Sequence, residues 1–252
     1  FACWKIGAVA MPQNASEDDV RIAFILQNGD CRVMLVMPEY FVRARTIQPN
    51  AICVRQIVAL DDAYQKSLNA QPVHFNAPSD NMLEDEAMLV YTSGTTGAPK
   101  GLMLSQYNLF ADCKAMAEWQ TMTADTRMMC ILPIHHMNGI NVTHVLPMLV
   151  GSSVVLNRGF KVGTFWRRMA EEKVHIVSVV PTILQFLCEA NEDISHLDLS
   201  ACKHFICGAG TLAVSLVTRF EDRFGMKVMH GYGLSETTSF SCFTPLDLSP
   251  EQ

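Results

Sequence analysis

The run Tyr91-Thr-Ser-Gly-Thr-Thr-Gly-Ala-Pro-Lys100-Gly101 decides how the rest of this 252-residue chain is read. Hydroxyl side chains and two glycines fill Thr92–Gly97, and a proline and a lysine follow. Gly94 and Gly97 admit positive φ and leave the backbone bare for close approach. Ser93, Thr95 and Thr96 add hydroxyl donors, and Lys100 adds a point charge. Successive backbone N–H groups in such a turn form a concave nest for phosphate oxygens.

The pattern differs from the G-x-x-x-x-G-K-[ST] loop of nucleoside triphosphatases, because Pro99 and not glycine precedes Lys100. Pro99 biases Ala98 away from helical angles, so no helix is expected to open inside the run. Phosphates would then be held by loop amides and hydroxyls. The plain alternative is a Gly/Thr-rich surface hairpin between two strands. It accounts for the glycines but not for hydroxyls concentrated beside a lysine.

Two further runs lie downstream, Leu132-Pro-Ile-His-His136-Met-Asn-Gly139 and His230-Gly-Tyr-Gly-Leu-Ser-Glu236-Thr237. With the first, they resemble, in the same order, the signatures of the adenylate-forming superfamily: acyl-CoA synthetases, coumarate-CoA ligases, luciferases and nonribosomal adenylation domains. The resemblance runs from about Trp4 to the C-terminus. It implies that a carboxylate attacks the α-phosphate of ATP, giving an acyl-adenylate and pyrophosphate. A thiol then takes the acyl group, either CoA or an acyl carrier protein.

The resemblance also assigns residues. Thr92, Ser93, Gly94, Thr95, Thr96, Gly97 and Lys100 would hold the β- and γ-phosphates. Glu236 would hold Mg²⁺ with Thr96, and Ser235 would contact the nucleotide; Glu236, Lys100 and Ser235 carry the catalytic roles. Gly208, Ala209 and Gly210 would wall the adenine and acyl pocket. His230, Gly231, Tyr232 and Gly233 complete the nucleotide side, the Tyr232 ring stacking on adenine. His136 aligns with the histidine that borders the acid, and Met137, Ile140, Val179 and Gly208 lie along the acyl group, although ordinary core explains each apolar one equally well. Two departures are visible: His135 stands where phenylalanine is usual, and Ser235 where threonine is more frequent. Amino-acid-adenylating relatives carry an aspartate for the substrate ammonium, but no acid occurs between Ile131 and His144, so a free amino acid is disfavoured.

Composition bounds the class. With 49% hydrophobic and 17% charged residues the chain reads as globular. A net charge of −6 argues against general nucleic-acid binding. No run of 18 apolar residues occurs, so no transmembrane helix is expected. Nine scattered cysteines form no C-x-x-C pair. They read as buried thiols of a reducing, cytoplasmic protein.

Along the chain, Ser16–Asp30 reads as a helix capped by Ser16, Arg32–Met37 and Ile52–Leu60 as strand regions, and Asp61–Glu86 as linker-like. Ala87–Tyr91 is a strand feeding the glycine-rich loop, and Ser105 caps a helix to about Gln120. Strands are expected at Arg127–Pro133, Ser152–Asn157, His175–Val180, Lys203–Cys207 and Lys227–Met229. Helices are expected at His135–Val150 (with interruptions), Thr164–Lys173, Thr182–Ala190 and Thr211–Phe224. This alternation predicts an α/β fold of mostly parallel sheets flanked by helices, with ligands beyond the carboxyl ends of the strands. Gly208-Ala-Gly-Thr-Leu-Ala213 also fits the G-x-G-x-x-A fingerprint of dinucleotide-dependent oxidoreductases, but the acid expected about twenty residues on is not clearly placed.

Lys5-Ile-Gly-Ala-Val-Ala-Met-Pro12 is similar to a run that lies well inside members of the superfamily. A Tyr-Arg-Thr-Gly-Asp run and a small C-terminal domain bearing a catalytic lysine are not found in the sequence. Residues 1–252 are therefore expected to be the central part of an AMP-binding domain from a longer protein, and to be catalytically silent alone.

Overall fold

The computed structural model describes residues 1–76, 80–92 and 97–247, which fall into two units, Phe1–Gln106 and the part from Tyr107 onward. In the first unit, α1 (Ala2–Lys5) precedes α2 (Asp19–Asn28), whose cap is Asp18 and not Ser16. The Asp18 carboxylate accepts from the Arg21 amide at 2.8 Å, the cap position one turn before the apolar stripe Ile22, Ala23, Ile25 and Leu26. Arg43, on α3 (Phe41–Ile47), donates to Asp19 at 2.7 Å and to the carbonyls of Ala15 and Glu17, fixing the approach to α2. Strands β1 (Val33–Val36) and β2 (Gln56–Ala59) pair in parallel.

The stretch expected to be linker contains a helix, α4 (Asp62–Asn69), capped by Asp61 through the Tyr64 amide at 2.8 Å. No residue of α4 is buried, so it has no apolar stripe for the sequence to display. Strands β3 (Glu86–Thr92) and β4 (Lys100–Ser105) pair antiparallel, with Thr92 opposite Lys100. The glycine-rich run thus joins two strands as a hairpin, the geometry of the plain alternative, and as expected no helix begins in the described part of it.

The second unit is built on one six-stranded sheet. Helix α5 (Gln106–Trp119) leads into β5 (Arg127–Cys130), a π-helical segment Asn138–Val145, α6 (Leu146–Val150) and β6 (Ser153–Leu156). Then come α7 (Val162–Glu171), β7 (Ile176–Val179), α8 (Pro181–Glu189), β8 (His204–Cys207), α9 (Val214–Phe224), β9 (Lys227–Tyr232) and β10 (Cys242–Phe243). The order is β10-β9-β8-β7-β5-β6, parallel except for β10. The expected α/β architecture with a mostly parallel sheet is what forms. Residues of β7 and β8 are buried on both faces, as a covered parallel sheet requires.

The two faces are filled differently. Phe165, Trp166, Phe205 and Phe220 pack with Val177, Val179 and Leu184 into one cluster that takes in α7, α8 and α9. On the other face Gln120, just past α5, donates to the Met229 sulfur at 3.2 Å and its side-chain oxygen meets His204 Nε2. Because β5 sends the chain to β6 on one side and β7 lies on its other side, the strand order reverses beside β5. In open sheets of this kind the crevice at that reversal, beyond the strands' carboxyl ends, takes the ligand.

Candidate active site

Every motif in the second unit leaves the carboxyl edge of the same sheet. Leu132–Gly139 follows β5, Gly208–Gly210 follows β8, and Tyr232–Thr237 closes β9 and runs beyond it. Backbone strands dictate this: in a parallel sheet all carboxyl ends lie on one edge.

After β5 the chain turns at Pro133 and enters the π-helical segment. The His136 amide donates to the Pro133 carbonyl at 3.2 Å and the Ile140 amide to the His136 carbonyl at 3.0 Å. A Cβ on Gly139 would overlap the Pro133 carbonyl, which explains the glycine that ends this motif. Within this helix the Gly139 carbonyl accepts from Thr143 Oγ1 and His144 Nδ1, both at 2.6 Å. π-helical turns collect at functional sites. The rings of His135 and His136 stand 4.3 Å apart, with His136 exposed.

Met137 is 5% exposed and Val179 is 0% exposed within the aromatic-lined core, while Ile140 is half-buried. Asn138 is a residue that the sequence reading passed over. Its Oδ1 accepts from Ser178 Oγ on β7 at 2.7 Å, and its Nδ2 is buried with no hydrogen-bond partner among the described residues. A buried donor left this way has a strong preference for an acceptor.

After β9, Gly233 is required by packing: a Cβ there would fall on the Ser239 carbonyl. The loop therefore doubles back on itself. Ser235–Thr237 forms one 3₁₀ turn in which Thr237 Oγ1 accepts from the Leu234 amide at 3.0 Å. This turn presents Glu236 to solvent and leaves Ser235 half-buried. Tyr232 is 60% exposed. The His230 amide donates to Thr244 Oγ1 at 2.9 Å, tying the strand end to the returning chain. Gly208 and Gly231 are buried because the Phe240 ring lies against both; a Cβ on Gly208 would come within 2.6 Å of it. Ala209 takes a left-handed φ of 62° and is exposed with Gly210. Helix α9 begins only at Val214, past the whole Gly208–Ala213 run, whereas the dinucleotide fingerprint opens straight into its helix.

In the first unit, Thr92 ends β3 and the exposed Lys100 begins β4. Gly97 has φ 142° with open space about its Cβ position. Ser93, Gly94, Thr95 and Thr96 lie outside the described residues. The Tyr91 hydroxyl donates to Asn28 Oδ1 at 2.6 Å, which fastens the loop's entry strand to α2.

Among the described residues no group of three or more His, Cys, Asp or Glu side chains is arranged to hold a metal ion. One exposed carboxylate, Glu236, fits a Mg²⁺ that arrives on a nucleotide, since that ion keeps waters and phosphate oxygens and needs only one or two protein carboxylates. Cys130 and Cys207, which flank the motifs in sequence, are each 0% exposed, and burial pushes the Cys207 thiol up to about 12. Neither is a nucleophile in the folded chain.

A family model described as AMP-binding enzyme matches residues 1–252. The chain belongs to the AMP-binding enzyme family. Among curated relatives, it is 30% identical to a sulfoacetate–CoA ligase of Cupriavidus necator, over 96% of this chain and 47% of that protein. It is 28% identical to a feruloyl-CoA synthase of an Amycolatopsis species, over 94% of this chain and 46% of that one. The chain thus spans about half the length of the curated relatives it matches. In fold it matches the N-terminal domain of FACL13 from Mycobacterium tuberculosis, with a TM-score of 0.89 at 23% identity, covering 96% of this chain and 61% of that one. It also matches ATP-bound MatB from Rhodopseudomonas palustris, with a TM-score of 0.88 at 22% identity, covering 98% and 48%. The resemblance read from the three motifs is confirmed at the level of family and fold, and the oxidoreductase alternative is set aside. No described helix is long and apolar enough to cross a membrane.

Proposed function

We propose that the protein carrying this chain is an AMP-forming acid–thiol ligase. A substrate carboxylate oxygen attacks the α-phosphorus of Mg·ATP, the bond to the bridging oxygen breaks, and pyrophosphate leaves. A thiol sulfur, that of CoA by preference over a carrier protein, then attacks the acyl carbonyl and AMP departs. The observation that carries this reading is the placement of the second unit's motifs at one carboxyl edge of a parallel sheet in a chain of this family. Nucleophile and phosphates are both anionic, so the protein's task is to neutralise and align them. Lys100 and the Thr92–Gly97 run would take the terminal phosphates, with Thr96 beside the metal. Ser235 and Glu236 would take the nucleotide and its Mg²⁺, and the exposed Tyr232 ring the adenine. Mg²⁺ supplies charge neutralisation when it is bound.

For the acid we favour a short carboxylate bearing a second oxygen-rich group. The unpartnered Asn138 amide and the exposed His136 support this, as do relatives named for sulfoacetate and malonate. Nine free cysteines, most of them buried or half-buried, support residence in the cytoplasm. Acid-dependent ATP–pyrophosphate exchange by the whole protein, across malonate, sulfoacetate, ferulate and octanoate, tests both levels. Exchange with no acid would sink the ligase reading; exchange confined to octanoate would sink the proposed acid class.

A further inference from the structure

The loop that carries Glu236 is held in an unfavourable shape by a group outside the motifs. Thr238 has φ 73° and ψ −52°, and the Ser239 amide donates to the Thr237 carbonyl at 3.0 Å. This is a three-residue γ-turn of the positive-φ kind, at a β-branched residue that resists it. Such geometry persists only when its surroundings enforce it. Here they converge on one oxygen. Asp112 Oδ2, on α5, accepts from Ser239 Oγ and from Asn141 Nδ2, the latter at 2.6 Å. Asn141 is 0% exposed and is itself oriented by Cys113, whose thiol meets its Oδ1 at 3.2 Å. Ser239 Oγ also lies 3.5 Å from Asn141 Nδ2 and 3.8 Å from the Met116 sulfur. Burial pushes the Asp112 carboxyl up to about 6, against the pull of the Ser239 and Asn141 bonds. It is therefore ionised at neutral pH, and both bonds are charge-assisted.

We propose that Asp112, set by Asn141, is a positioning residue for the nucleotide half of the site. Through Ser239 it holds the strained turn at Thr238, and so fixes how Ser235 and Glu236 leave the end of β9. The same oxygen ties this loop to the π-helical segment, which begins at Asn138 beside His136. The clamp would thus set the spacing between the metal-holding side and the acid-holding side. It rests on the adenylation reading, in which Glu236 serves Mg·ATP.

The test uses the whole protein and two readouts. In the first, hydrogen exchange by mass spectrometry compares wild type with Asp112→Asn, Asp112→Ala and Ser239→Ala. Amides 235–241 should exchange at least tenfold faster in the Ala variants and less so in the near-isosteric Asp112→Asn, while β5 and β7–β9 keep wild-type protection. In the second, pyrophosphate exchange should show KM for Mg·ATP raised tenfold or more, with KM for the acid within about twofold. The double variant Asp112→Ala/Ser239→Ala should be no worse than Asp112→Ala alone, because the Ser239 link is already lost with the carboxylate. Unchanged loop exchange, or ATP and acid constants that move together, would overturn the clamp. A wild-type protein without acid-dependent exchange would sink the ligase reading, while the hydrogen-exchange arm would still decide the clamp.

Discussion

The two faces of the six-stranded sheet use the same strands for opposite purposes. On the face covered by α7, α8 and α9, the strand residue Phe205 meets the rings of Phe220 at 4.9 Å and of Phe165 and Trp166 at 6.2 Å, and the helix rings of Trp166 and Phe224 stand 4.6 Å apart. On the other face the intervening strand residues meet polar partners: His204 with Gln120, Ser178 with Asn138, and beyond them Asn141 with Asp112 and Ser239. A dry aromatic face is stable through area and shape. Buried polar groups bond only in particular orientations, so the second face specifies geometry. The site loops after β5 and β9 are wired to the second face.

That contrast predicts where damage should fall. Trp166→Ala should cost the most stability, about 3–5 kcal/mol, because it empties the middle of the aromatic cluster. Urea unfolding would show it as a lower midpoint with an unchanged slope. A loss under 1 kcal/mol would mean the dry face is not the main source of stability.

The polar face should reveal itself through acid. Burial, with help from the Lys203 charge, pushes His204 down to about 4, whereas in the unfolded chain it titrates near its ordinary value. Between those values the unfolded state binds the extra proton, so His204 makes stability fall as pH drops from about 6.5 to 4. Asp112 acts in the opposite sense: its carboxyl is raised to about 6, so the native state gains the proton first and stability rises as pH falls through 6. In His204→Asn the acid-side loss should shrink by on the order of 3 kcal/mol across that window. Unfolding curves at a series of pH values check this; an unchanged acid slope would show that His204 titrates normally in the fold.

Lys100, in the other unit, sharpens the comparison because it belongs to neither face. Lys100→Ala should leave thermal stability within error and lower kcat/KM for Mg·ATP by roughly 1.5–3 kcal/mol, the worth of one charge-assisted phosphate contact. Retained exchange efficiency would remove Lys100 from the phosphate site. Gly233→Ala should cost roughly 1–2 kcal/mol of stability, less than Trp166→Ala, since only the loop must shift away from the Ser239 carbonyl. Its activity should fall more than its stability. Equal losses in both would mean that the loop's shape matters to folding alone.

The elements that the sequence displayed were those with local signals. The β5, β7 and β8 runs are mostly apolar and β7 and β8 are buried throughout, and the motifs sit just beyond strands, so the parallel sheet and its functional edge were legible. Helix α4 was not, because its only signals are the Asp61 cap and helix-forming residues with no buried stripe. Strand β4 was hidden because Lys100–Ser105 runs straight into α5 and becomes a strand only by pairing with β3. Asp18 displaced Ser16 as a cap among three successive acids that all look suitable. The Asp112–Ser239 contact joins residues 127 apart in sequence, and no local pattern announces such a pair. Phe240 explains the glycines at 208 and 231 better than loop freedom does, but it becomes visible only once the chain folds back.

The two-residue strand β10 has a consequence for how molecules of this protein meet one another. It pairs antiparallel with the end of β9, and the bonds from Ser241 to the Tyr232 carbonyl and from Thr244 to the His230 carbonyl, both 2.8 Å, use up acceptors along that border of the sheet. An uncovered border of this kind is a template for another chain's backbone. Shortened versions ending before Ser241 would bare that border, and self-association growing with protein concentration is their expected fault.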